Sequence, residues 1–116
     1  MKAQPFSAQV RQQGNQATID LRGEINAFAE SELNEAYTKA DQADPATIVL
    51  NFTEVSYINS TGIALIVSLL AQARKSRRTL AVYGLSDHYM EIFKITRLSD
   101  FMNIYPDESS LIKEIG

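Results

Sequence analysis

Apolar and polar residues alternate at Phe6, Ala8 and Val10, and again at Ala17, Ile19 and Leu21, a period of two that predicts strands. Gln12-Gln13-Gly14-Asn15 between them supplies turn residues, so the two runs form an N-terminal hairpin. Arg22-Gly23-Glu24-Ile25-Asn26 ends the second strand and leaves Asn26 placed to cap whatever follows. From Ala27 to Gln42 the period changes. Phe28, Leu33, Ala36, Tyr37 and Ala40 recur at helical spacing, with Glu30, Glu32, Glu35 and Lys39 on the other face, which predicts a helix covering one side of the sheet.

Asp44-Pro45 breaks that pattern, and Thr47 to Phe52 follows as a nearly continuous β-branched and apolar run, suited to a central strand buried on both faces. Thr53 to Asn59 reads as a polar turn leading into a helix from Ser60 to Ser76. The first half of that helix, from Ile63 to Ala71, has little polar surface, so it packs on more than one side or shows an apolar strip to a partner. Thr79 to Gly84 is a further buried strand, Asp87 to Thr96 a short helix carrying Tyr89, Ile92, Phe93 and Ile95, and Phe101 to Tyr105 a short last strand. Pro106-Asp107-Glu108 starts a terminal helix whose apolar face is Leu111, Ile112 and Ile115.

The order β-β-α-β-α-β-α-β-α, with short linkers and no internal repeat, predicts a single α/β domain over residues 1–116. Its sheet is mixed but mostly parallel, with an antiparallel N-terminal hairpin strand and about four helices. The 116 residues, 45% apolar and 22% charged, suit one such unit. A net charge of -3 leaves no basic footprint for nucleic acid, and no cysteine is present for disulfides or thiolate metal sites. Met1-Lys2-Ala3-Gln4-Pro5 lacks the apolar core of a signal peptide, and the apolar run within Ile63 to Ala71 is too short for a bilayer, so a cytoplasmic protein without membrane insertion is expected.

Ser60, at the junction of strand and helix, superficially fits a nucleophile elbow, but that turn needs Gly on both sides and Ile58 stands where the first would be. His88, the single histidine, has no pattern tying it to Ser60, and no catalytic residue is assigned. Glu24, Glu30, Glu32 and Glu35 have no His or Cys beside them, so no metal site is expected. Both phosphate-binding glycine motifs are missing, and no cofactor is expected. Arg74, Lys75, Arg77 and Arg78 read as a solvated helix end. What remains is the turn itself. A helix start presents unpaired N–H groups and the positive end of the dipole, so Ser60 either caps the helix or carries an anion there as a phosphoserine. Gly62 in the first turn keeps the surface low for an approaching partner.

The run Asn51 to Ile63, with Tyr57-Ile58-Asn59-Ser60-Thr61-Gly62-Ile63 at its centre, resembles the signature of STAS domains, the sulfate transporter and anti-sigma factor antagonist family. Leu21 to Asn26 is similar to that family's Gly-Glu-Leu-Asp segment, and the element order agrees over nearly the whole chain. The resemblance implies a non-enzymatic anti-anti-sigma factor. Unphosphorylated, it would bind a serine kinase of the histidine-kinase-like ATPase fold that is also an anti-sigma factor; phosphorylated on Ser60, or on the neighbouring Thr61, it would let go. The partner surface implied is Glu24, Asn26 and Tyr57, Ile58, Asn59, Ser60, Thr61, Gly62 and Ile63. A phosphatase is an optional further partner, and a monomer or weak homodimer is the expected state. Asn26 and Asn59 stand where the family usually has Asp. Their missing charges suit the alternative role of an unphosphorylated accessory or scaffold module of a transporter or signalling complex.

Overall fold

The computed structural model describes residues 5–115, with the side chain of Ile115 outside that description; Met1 to Gln4 and the terminal-helix role of Ile115 therefore lie outside the described residues. Strands β1 (Ser7–Gln13), β2 (Gln16–Ile25), β3 (Thr47–Ile58), β4 (Thr79–Tyr83) and β5 (Asn103–Tyr105) alternate after the hairpin with helices α1 (Glu30–Asp41), α2 (Ser60–Lys75), α3 (Asp87–Ile95) and α4 (Glu108–Ile115). They form one sheet in the order β1-β2-β3-β4-β5, antiparallel between β1 and β2 and parallel elsewhere. This is the mixed, mostly parallel architecture that the alternating elements predict.

In the centre of the sheet, residues alternate between its two faces. Ile19, Leu21, Ile48, Leu50, Leu80 and Val82 pack under α1, α2 and α3, where Phe93 meets Phe52 edge to face at 6.0 Å. Val49, Ala81 and Tyr83 point the other way, against Leu111 of α4. Arg78 ties the rim of the sheet together: its guanidinium bonds Asp41 Oδ1 at 2.7 Å, Asp44 Oδ1 at 3.1 Å and the Pro45 carbonyl at 2.6 Å. Arg78 is thus a clamp between the start of β4 and the end of α1 and not part of a solvated helix end, whereas Arg74, Lys75 and Arg77 are exposed.

Two expectations fail for identifiable reasons. Thr53 to Asn59 is not a turn, because β3 runs on to Ile58 beside β2. At two places along this pair β3 advances one residue more than β2, and Gly23, with φ +90°, sits at the second. These irregularities destroy the period-two pattern that would have announced a strand. Phe28 is not on the apolar face of α1. A 3-10 turn, Ala27–Ala29, precedes the helix, and its tighter winding turns Ala29 inward and leaves Phe28 94% exposed. The last strand is also shorter than expected, with Phe101 outside it and exposed, and Ile112 of α4 is half exposed.

Candidate functional site

The site is built where β2 and β3 end together. Glu24 lies opposite Tyr57 and Ile25 opposite Ile58, and the Asn59 N–H donates to the Ile25 carbonyl at 3.2 Å before the chain turns into α2. Asn59 keeps extended dihedrals (φ -90°, ψ -177°), its Oδ1 accepts from the Gly62 N–H at 2.8 Å, and its carbonyl accepts from the Ile63 N–H at 2.9 Å. That is an N-cap by side chain and backbone together. The cap is therefore Asn59. Ser60 is the first helical residue, exposed, and its hydroxyl is not spent on capping.

Asn26 repeats the device one strand away. Its Oδ1 accepts from the Phe28 N–H at 2.9 Å, and its carbonyl from the Ala29 N–H at 3.0 Å. Two Asn-capped turns thus open side by side at the carboxyl ends of neighbouring parallel strands. Neither the 3-10 turn nor the first turn of α2 carries an acidic residue, so the positive end of the α2 dipole is not offset from within its own first turn.

Of the residues assigned to a partner surface, Tyr57, Ser60 and Thr61 are exposed, and Glu24, Asn26, Asn59 and Ile63 are half-buried. Ile58 and Gly62 are buried and shape the surface from beneath. A Cβ at position 62 would run into the Ile25 carbonyl oxygen and lie 2.8 Å from Ile58 Cγ2. Glycine is needed there so that α2 can pack onto the end of β2; its absent side chain opens no path from outside.

Two residues near the site are hidden by the apolar pattern. Tyr89 of α3 is buried, and its hydroxyl accepts from the Ile58 N–H at 2.8 Å and donates to the Ile58 carbonyl at 3.3 Å. Beta4 pairs with β3 only from Thr47 to Asn51, so the far edge of Ile58 has no strand beside it, and the tyrosine takes the strand's place. The signal in the sequence is a Tyr where a Phe would satisfy the helix period. Phe28 is the second, and its signal is the capping Asn two residues before it. His88 is exposed, its ring edge-on to Tyr89 at 4.9 Å. Among the described residues no three His, Asp or Glu side chains are grouped to hold a metal, and no helix is long and apolar enough to cross a membrane.

A second polar cluster lies on the α4 side of the sheet. Arg11 holds Asp20 with two bonds, Nε to Oδ2 at 2.6 Å and Nη2 to Oδ1 at 3.0 Å, and Asn51 Nδ2 donates to Asp20 Oδ1 at 2.8 Å. Burial pushes the Asp20 carboxyl up, but the bonds from Arg11 and Asn51 and the arginine's charge outweigh it, and the net displacement is downward. Arg11 also reaches Glu108 and the Tyr83 hydroxyl, so this cluster joins β1, β2, β3, β4 and α4.

The STAS domain family model matches residues 7–111. The anti-sigma-B factor antagonist of Listeria monocytogenes is 34% identical over 86 residues, which cover 74% of this chain and 75% of that protein. Among solved structures, an anti-sigma factor antagonist from Mycobacterium paratuberculosis superposes with a TM-score of 0.82 at 15% identity, covering 96% of this chain and 94% of that one. The Bacillus cell fate determinant SpoIIAA in its phosphorylated form gives 0.73 at 20% identity, with 95% and 100% covered. At these identities the two structures establish a shared fold.

Proposed function

The chain belongs to the STAS domain family, and from that premise we propose that it is an anti-sigma factor antagonist, a non-enzymatic regulator whose partner binding is controlled by phosphorylation of Ser60. The partner is an anti-sigma factor that is also a serine kinase of the histidine-kinase-like ATPase fold. It docks over the exposed Tyr57, Ser60 and Thr61, with Glu24 and Asn26 at the rim. The relative in Listeria monocytogenes carries the name of such an antagonist. The observation that carries the reading is the division of labour at the helix start: Asn59 makes the cap, and Ser60 stands exposed as the first helical residue.

A phosphate on Ser60 would bring a charge of about -1.5 to -2 to the unpaired N–H groups and positive dipole of the α2 start, which favour it. The same charge would sit in the middle of a docking surface whose exposed centre, Tyr57, Ser60 and Thr61, is neutral when unmodified. Phosphorylation therefore costs little in fold stability and much in partner affinity.

Incubation with ATP and each serine kinase anti-sigma factor encoded in the same genome should yield a phosphopeptide at Ser60 and none in Ser60→Ala. Ser60→Asp should weaken partner binding while Ser60→Ala retains it. If no such kinase modifies the chain and the two variants bind alike, the switch is wrong. A constitutive accessory module would then be the better reading, favoured by the neutral Asn26 and Asn59 beside Ser60.

A further inference from the structure

Far along α2 from Ser60 lies an open groove of about 510 Å³, walled by Val67, Leu70, Ala71 and Arg74 on one side and by Thr96, Arg97, Leu98 and Phe101 on the other. Leu70 and Leu98 form its buried floor, while two large apolar residues of its walls stand bare, Val67 45% exposed and Phe101 51%; Ile95, just before Thr96, is 72% exposed. Arg74 lies over the Phe101 ring, 5.0 Å from its centroid, so its charge is held at the groove wall. Arg97 forms the opposite rim, paired with Asp100 at 2.7 Å.

The groove is continuous with the Ser60 surface. Ser60, Ala64, Val67, Ala71 and Arg74 follow at steps of four, three, four and three, and such positions fall on one stripe of a helix. Each of these five is exposed. The stripe is about 21 Å long at the helical rise per residue. It runs from the proposed phosphorylation site to the Arg74–Phe101 contact without a charged residue between its ends.

Charge indicates what covers it. The charged residues that line the groove, Arg74 and Arg97, are both cationic, although the chain as a whole carries -3. Arg97 is shared with Asp100, and the described ion pairs give Arg74 no carboxylate. A concave apolar wall with cations on its rim complements an apolar segment flanked by carboxylates.

We propose that the α2 stripe and this groove form a second contact for the anti-sigma factor, receiving an amphipathic, acidic segment of it while the Ser60 surface receives the kinase site. The inference rests on the proposed function and extends the docking surface from one end of α2 to the other. Two separated contacts let a phosphate at one end abolish the complex without touching the contact that recognises the partner.

The test is affinity for the purified anti-sigma factor kinases of the same genome, measured for wild type, Ser60→Asp, Arg74→Glu and Ala71→Trp by calorimetry at low and high salt, with melting curves to verify folding. Both groove variants should bind at least tenfold more weakly, and added salt should weaken wild type more than Arg74→Glu. Wild-type binding that Ser60→Asp abolishes but the groove variants leave within twofold overturns this inference alone. If wild type binds none of the kinases, the proposed function falls and this inference with it. Sedimentation and flotation with phosphatidylglycerol vesicles cover the other occupants. A dimer or a vesicle complex lost in Arg74→Glu, with kinase affinity unchanged, would also overturn it.

Discussion

The Tyr89 hydroxyl holds both backbone groups of Ile58, accepting from its N–H at 2.8 Å and donating to its carbonyl at 3.3 Å. The residue after Ile58 is the cap of α2, so a side chain from α3 fixes the end of β3 from which Ser60 is presented. Tyr89→Phe removes only that oxygen and strands two backbone groups in a buried setting. A loss of about 1–3 kcal/mol is expected, the cost of unsatisfied buried partners. Chemical denaturation measures it, and amide exchange at Ile58 and Asn59 should quicken more than in the centre of β3. A variant of unchanged stability would mean that another group takes over the two bonds.

Asn59 separates capping from phosphorylation. Asn59→Ala removes the bond to the Gly62 N–H and should cost about 1 kcal/mol, as cap deletions do. Asn59→Asp keeps the acceptor and adds a negative charge at the positive end of α2, worth about 0.3–1 kcal/mol in the stabilising direction. The two variants should therefore melt on opposite sides of wild type. Under the proposed function Asn59→Asp also restores the carboxylate that the family usually has beside the serine, and the rate of Ser60 phosphorylation should rise. A melting order of Asp below Ala would overturn the capping account.

These sites differ in how far the sequence discloses them. The five strands and four helices follow from the change of period between alternating and helical runs, and the junction after Ile58 stands out because four polar or small residues, Asn59, Ser60, Thr61 and Gly62, precede the apolar run of the helix. The second half of β3 is hidden, since irregular pairing with β2 leaves the consecutive pairs Thr53–Glu54 and Ser56–Tyr57 exposed and so breaks the two-residue period. Phe28 is hidden by a 3-10 turn that shifts its helical phase. Tyr89 is hidden because an apolar pattern records the ring and says nothing of the oxygen. Arg78 is hidden because its carboxylate partners, Asp41 and Asp44, lie more than thirty residues away in the chain.

Asp20 sets an acid limit on stability. Its folded pKa lies below the unfolded value, so the unfolded chain takes up the proton first as pH falls. The contribution of the Arg11–Asp20 pair is fully present above the unfolded carboxylate pKa and is lost as pH falls through the folded one. Stability should thus decline on acidification below the ordinary carboxylate range. Asp20→Asn should flatten that decline while lowering stability at neutral pH, where it leaves Arg11 with Glu108 at 3.4 Å as its remaining carboxylate. Denaturation midpoints of both proteins from pH 7 to pH 3 check this; parallel curves would show that Asp20 is not the titrating group.

Phe28 separates binding from folding. It is 94% exposed, two residues beyond the Asn26 cap and directly beyond the end of β2 that pairs with β3 beneath Ser60. A bare aromatic of this size has little to lose on truncation, so Phe28→Ala should change stability by less than about 0.5 kcal/mol. Buried aromatics dominate interfaces, and truncating a central one typically costs 2 kcal/mol or more, about thirtyfold in affinity. If the anti-sigma factor covers the Ser60 surface, Phe28→Ala should melt like wild type and bind that partner at least tenfold more weakly. The same variant should remain a poor binder when combined with Ser60→Ala, because the loss arises from contact and not from altered phosphorylation. Full affinity of the double variant would place Phe28 outside the docking surface and confine the contact to Tyr57 at the end of β3 and Thr61 at the start of α2.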